Sequence, residues 1–260
     1  MTPTLEYLNK CKHIMDVIER QEKNIQQVAQ WFADTIMAGR MVHIFGSGHS
    51  RIMVEEMWPR YGSFPGFNPI VELSLTFHNL VVGSNGQRQA MFLENVSGLA
   101  ERILRNFDIT SADSALIISS GGTNLVPVEM GEGFKKRNVK VVVLVTKEHS
   151  EKSSSKRADG KKLTDFADMI LDTGAPVGDA MVKIEGLDTL VSPGSTVGGA
   201  LIVNSIKAEV ANLLTKNGIL PKVLTTANVV GEKRAVELFE SAYDEHAHRL
   251  SKLYANVGNQ

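Results

Sequence analysis

The chain has 260 residues, 43% of them hydrophobic, with 28 Lys plus Arg against 29 Asp plus Glu. That composition supplies a sizeable core, and a formal charge of −1 excludes broad polyanion binding, so nucleic acid is not an expected partner and any anion site must be local. A single cysteine, Cys11, leaves no intramolecular disulfide and fits a reducing compartment, so a cytoplasmic location is expected.

Leu5, Leu8, Cys11, Met15 and Ile18 recur at helical spacing, as do Ile25, Val28, Phe32 and Ile36 after a charged break near Glu22. Two amphipathic helices therefore open the chain, and residues 1–40 read as a helical extension of a domain spanning 41–260. The first twenty residues lack an apolar core bounded by a small-residue cleavage site, so no secretory signal is expected. Next, Met41–Phe45 forms an apolar run that ends in a polar, glycine-containing loop at 46–50, followed by a helix through about Trp58. A further apolar run, Leu73–Phe77, reads as a strand leading to His78.

The strand-then-polar-loop pattern returns at Ser114–Ile118, which enters Ser119–Asn124 and then a helix ending near Arg137. Lys140–Val145 is a third buried strand; Met169–Leu171 and Met181–Ile184 are shorter ones. Residues 149–163, rich in Ser and Lys, read as a solvated surface loop or a lid, and 195–216 and 232–254 as helices. Residues 187–206 come nearest to a membrane span, but Asp188, Pro193 and three glycines interrupt them, so no membrane is expected. Apolar strands alternating with helices predict an α/β fold with a mostly parallel sheet covered on both faces.

Ligands of such sheets sit beyond the carboxyl ends of the strands, where backbone N–H groups and helix N-termini face a crevice. Both polar loops occupy such ends. Gly46 and Gly48 allow close backbone approach to an anion, Ser47 and Ser50 add hydroxyl donors, and Ser119, Ser120, Thr123 and Asn124 repeat the arrangement. No Walker A spacing is present, and the first loop lacks the third glycine of a dinucleotide fingerprint.

The two loops, Gly46–Ser50 and Ser119–Asn124, resemble the phosphate-gripping loops of sugar isomerase (SIS) domains. The resemblance extends over Glu55–Gly62 and Asn68–Ile70, over Asn124–Met130 and Gly160–Lys161, and over Ala175–Ala180, Ser195–Val197, Pro221–Val223 and Ala227–Asn228. It covers roughly residues 5–232 and is to an uncharacterised SIS subfamily related to phosphoheptose isomerase. This implies a flavodoxin-like, doubly wound sandwich, a small anionic sugar as substrate and a homodimer or homotetramer. The substrate-binding residues implied are Ser47, Gly48, His49, Ser50 and Arg51 in the first loop. Those in the second are Ser119, Ser120, Gly121, Gly122, Thr123 and Asn124. The sequence departs from the family pattern at Gly121, where serine is usual, at Thr123, where the subfamily often has arginine, and at Asn204, near the position of a phosphoheptose isomerase histidine.

Aldose–ketose interconversion needs a group that removes a proton beside a carbonyl and returns it to the neighbouring carbon. By resemblance that base is Glu56, with His78 aligned to a family histidine that acts on the sugar oxygens. Glu209 lies in an otherwise apolar stretch, where a carboxylate is costly unless paired or reactive, and is a candidate second acid–base group. Arg51, Arg60 and Lys161 are candidates for a distal anion, phosphate or sulfonate. The seven histidines form no HExxH motif, and neither a metal nor a cofactor is expected. An N-acetylmuramic acid 6-phosphate etherase-like lyase and a non-catalytic sugar-phosphate sensor are the alternatives to an isomerase.

Overall fold

The computed structural model describes residues 1–76 and 86–257. Helices α1 (Pro3–Glu19) and α2 (Glu22–Met37) precede strand β1 (Val42–Gly46), helix α3 (Arg51–Met57), strand β2 (Phe67–Ile70) and a short helix α4 (Leu73–Thr76). Helices α5 (Gln87–Leu93) and α6 (Leu99–Leu104) lead to β3 (Ser114–Ile118), α7 (Leu125–Lys136), β4 (Lys140–Val145) and α8 (Lys147–Lys152). Strands β5 (Met169–Asp172), β6 (Ala180–Lys183) and β7 (Leu190–Pro193) are followed by α9 (Ser195–Lys216), α10 (Ala227–Val230) and α11 (Glu232–Leu253).

Among the described residues, five strands form one parallel sheet in the order β2-β1-β3-β4-β5. Alternate strand residues divide between two cores. Val42, Ile44, Leu116, Ile118, Val142, Leu144 and Leu171 face α1, α2, α3 and α9, while Phe45, Ala115, Ile117, Val141, Val143 and Val145 face α6 and α7. This is the doubly wound arrangement that the apolar strands predict, with both faces dry. Ile14, Ile18, Ile25, Val28 and Phe32 of α1 and α2 enter the same core as α9.

The structure differs from the sequence reading at several places. Phe67–Ile70 is a strand that the sequence hides because Pro69 interrupts it; β2 lies at the sheet edge, where a missing N–H is tolerated. Leu73–Thr76 is helical rather than a strand. The segment at Met181 does form a strand, but it pairs antiparallel with β7 in a separate hairpin and does not extend the main sheet.

Helix α9 is, among the described residues, the helix whose length and apolar composition would let it cross a membrane; it packs against α1, α2 and α3. Its docking depends on Gly198, where a Cβ would lie 1.9 Å from the Thr173 carbonyl oxygen. That contact draws the N-terminal end of α9 up to the carboxyl end of β5.

Candidate active site

The strand register explains why the two polar loops meet. Gly46 and Ile118, the last residues of β1 and β3, are register partners on neighbouring parallel strands, so residues 47 and 119 leave the sheet side by side. With β2 on one side of β1 and β3 on the other, the chain winds in opposite directions from this point, and α3 and α7 pack on opposite faces. A crevice at such a switch point is the usual ligand site of an open α/β sheet.

Here it is a cavity of about 250 Å³. The first loop lines it with Ser47, Gly48, His49 and Ser50, and the second with Ser119, Ser120, Gly121 and Asn124. Helix α5 adds Gln87, Met91 and Glu94, and the start of α9 adds Ser195 and Thr196, with Asp179 beside them. No Lys or Arg is among these described residues, so an anion here would be held by hydroxyls and backbone N–H groups.

Turn geometry itself fixes the first loop. A Cβ on Gly46 would stand 2.6 Å from the Ser50 carbonyl oxygen, and the Ser50 N–H closes the turn onto the Ser47 carbonyl at 3.1 Å. In the second loop the Ser119 hydroxyl accepts from the Gly122 N–H at 3.2 Å. Ser120 shares a hydroxyl contact with Thr146 at 3.2 Å, and Thr146 in turn meets Thr173 at 2.8 Å. Asp179 ties α9 to the site: its Oδ1 accepts from the Gly194 and Ser195 N–H groups at 3.0 and 2.7 Å, and its Oδ2 from the Ser195 hydroxyl at 2.8 Å.

Glu94, at the end of α5, links the loops to each other. The Asn124 amide nitrogen donates to its Oε2 at 2.5 Å, the Ser47 hydroxyl faces the same carboxyl group, and Lys156 donates to the Asn124 side-chain oxygen. Burial pushes the Glu94 carboxyl above the ordinary glutamate range, and the Ser47 and Asn124 bonds and the Lys156 charge only partly offset that.

Sequence reasoning did not find Glu94. It sits at the end of a short helix after a run of apolar residues, a place where an exposed glutamate is equally ordinary, and only the contact across thirty residues to Asn124 sets it apart. Asp179 was noticed only as part of a resembling segment, without a role.

Several candidates lie elsewhere. Gly122 and Thr123 belong to the second loop but do not line the cavity. Arg51 turns away to Glu55 at 2.5 Å and the Thr76 hydroxyl at 3.4 Å, and Arg60 pairs with Glu56. Lys161 is exposed, its ammonium 5.6 Å from the Phe166 ring. Glu209, half-buried on α9, is not part of the cavity, and His78 lies outside the described residues.

Glu56 also stands outside the cavity lining, where α3 meets α9. Its Oε1 accepts from Asn204 at 2.8 Å, and Arg60 binds its other oxygen. Burial alone would raise this carboxyl, but the bonds from Asn204 and Arg60 and the nearby Arg60 and Lys207 charges hold it below the ordinary range. Residues 149–152 of the segment read as a loop belong to α8, and the rest is pinned: Arg157 bridges Glu132 and Asp159, and Lys162 donates to the Ser150 carbonyl at 2.7 Å.

The SIS domain family matches residues 6–146, a span that contains both loops. The chain belongs to the SIS domain family. A UPF0309 protein of Halalkalibacterium halodurans is 32% identical over 232 residues, covering 88% of this chain and 93% of the relative. Another UPF0309 protein, of Thermoanaerobacter pseudethanolicus, is 31% identical and covers 91% of this chain and 96% of its own. Among solved structures, a phosphoheptose isomerase from Neisseria gonorrhoeae is similar at 12% identity, covering 82% of this chain and 96% of its own with a TM-score of 0.48.

Proposed function

We propose that this SIS-domain chain is an aldose–ketose isomerase acting on a small, ring-opened anionic sugar, a sugar phosphate or a sulfonated hexose. The observation that carries the reading is the convergence of Ser47–Ser50 and Ser119–Asn124, some seventy residues apart, on one cavity with the N-terminal end of α9. Hydroxyls and backbone N–H groups suit three acceptor oxygens of a phosphate or sulfonate, and the small volume suits a ligand below drug size. A buried carboxylic group on the same wall supplies what proton transfer through an enediol requires.

Self-association into a homodimer or homotetramer belongs to this reading. Val197, Ala200 and Leu201 line a shallow apolar depression on α9, and Val236 and Phe239 on α11 are exposed; these faces would meet a second copy.

The test is incubation in heavy water with a panel of sugar phosphates and sulfonated sugars, followed by NMR. Deuterium entering the carbon beside the carbonyl, together with interconversion of the two sugars, supports the isomerase. Binding without exchange across the panel moves the assignment to a sensor. Release of lactate from N-acetylmuramic acid 6-phosphate moves it to an etherase-like lyase.

A further inference from the structure

Two carboxylates border the cavity among the described residues, Glu94 and Asp179. Asp179 is committed: both of its oxygens accept hydrogen bonds from the start of α9, which leaves it a poor base. Glu56, the carboxylate that family resemblance favours, is held by Arg60 and Asn204 outside the cavity lining. Glu94 also accepts hydrogen bonds, but from neutral side chains, with no Arg or Lys bonded to its carboxylate among the described residues. It is 8% exposed, stands on the cavity wall, and is fixed between the loops by the neutral donors Ser47 and Asn124; Lys156 reaches the Asn124 oxygen and not the carboxylate itself.

Resting on the isomerase reading above, we propose that Glu94 is the catalytic residue that carries the proton between the two carbons of the bound sugar. Its carboxylate takes the proton from the carbon beside the carbonyl. The electron pair of that C–H bond becomes the carbon–carbon double bond and the carbonyl pair moves onto its oxygen, which takes the proton of the neighbouring hydroxyl, giving an enediolate whose charge sits on that neighbouring oxygen. In the second half that oxygen re-forms a carbonyl, and the double-bond pair takes the proton of the Glu94 carboxylic acid at the former carbonyl carbon. One proton has moved between carbons and one between oxygens, with no oxidant and no change of net charge. Burial favours this role, because a carboxyl raised above its ordinary range is a stronger base once ionised than an exposed one.

Glutamine at position 94 keeps the shape and an oxygen that can accept from Asn124. The test therefore compares wild type with Glu94→Gln, Glu94→Asp and Glu56→Gln, using the panel sugar phosphate that wild type exchanges most rapidly. Deuterium uptake is read by NMR, binding of the same sugar by titration calorimetry, and folding by circular dichroism. The expected result is a loss of exchange in Glu94→Gln of about 100-fold or more with sugar affinity kept within about threefold, the usual worth of a general base. Glu94→Asp should recover part of the rate with a shifted pH profile, and Glu56→Gln should retain exchange. Exchange in Glu94→Gln within tenfold of wild type would overturn the proposal. Loss of sugar binding in that variant would also overturn it, since Glu94 would then be a brace between the loops. If wild type exchanges no sugar, the isomerase reading itself falls and takes this assignment with it.

Discussion

Asn204 donates a hydrogen bond of 2.8 Å to Glu56 across the contact between α3 and α9, joining residues 148 positions apart. The sequence marks both positions separately, one as a base and one as a departure from the family pattern. The structure shows them as partners, with Arg60 on the other carboxylate oxygen.

Replacing Asn204 by alanine should therefore move the Glu56 carboxyl upward and weaken the docking of α3 on α9. A depressed carboxyl contributes stability above its unfolded pKa of about 4.3 that is lost as pH falls through the folded value. Asn204→Ala should cost about 0.5 to 1.5 kcal/mol at pH 7, with the difference from wild type shrinking as the carboxyl protonates. Urea unfolding at pH 7 and pH 3 checks this; an equal difference at both pH values would contradict it.

A second charged pair supports the amino end of the sheet. Arg40 binds Asp113 at 2.7 Å, and the buried His43 ring lies 3.8 Å from the same carboxylate. Burial would raise the Asp113 carboxyl, but the Arg40 bonds, the nearby His43 ring and the Thr110 N–H outweigh it and bring it down to about 2. Its contribution is present above about pH 4 and disappears between there and about pH 2. Removing the guanidinium with Arg40→Met leaves a buried charge unpaired and should destabilise by about 3 to 5 kcal/mol at pH 7, measured by urea denaturation.

Gly198→Ala tests how α9 reaches the site. With a Cβ placed 1.9 Å from the Thr173 carbonyl, the helix must shift outward or the fold must yield. We expect a loss of about 3 kcal/mol, at the upper end for overpacking. A melting curve unchanged from wild type would show that α9 docks otherwise.

Gly121 is the opposite case. A Cβ there meets the His149 ring at an ordinary 3.4 Å, so serine, the residue usual at this position in SIS domains, has room. Gly121→Ser should melt within about 2 °C of wild type, as expected where neither strain nor a clash is introduced. It should bind the sugar phosphate more tightly, because a hydroxyl is added to the cavity wall; calorimetry with the ligand from the heavy-water panel decides.

Much of the fold was legible because the signals are local. Apolar runs such as Lys140–Val145 bounded by polar loops, and helical spacing in α2, reflect burial on both faces of a sheet or on one face of a helix, which neighbouring residues reveal. The edge strand β2 escaped because Pro69 reads as a breaker until its edge position is known.

By itself the sequence determined that two serine- and glycine-bearing turns follow buried strands, and so what kind of charged group they could hold. Only the tertiary structure decided that Gly46 and Ile118 are register partners, and hence that the turns share a cavity. It also decided the fates of three carboxylates: Glu94 buried between the loops, Asp179 tied to α9, Glu56 paired with Arg60 and Asn204. Basicity depends on desolvation and on partners that lie tens of residues away along the chain, and no local pattern around a glutamate records either.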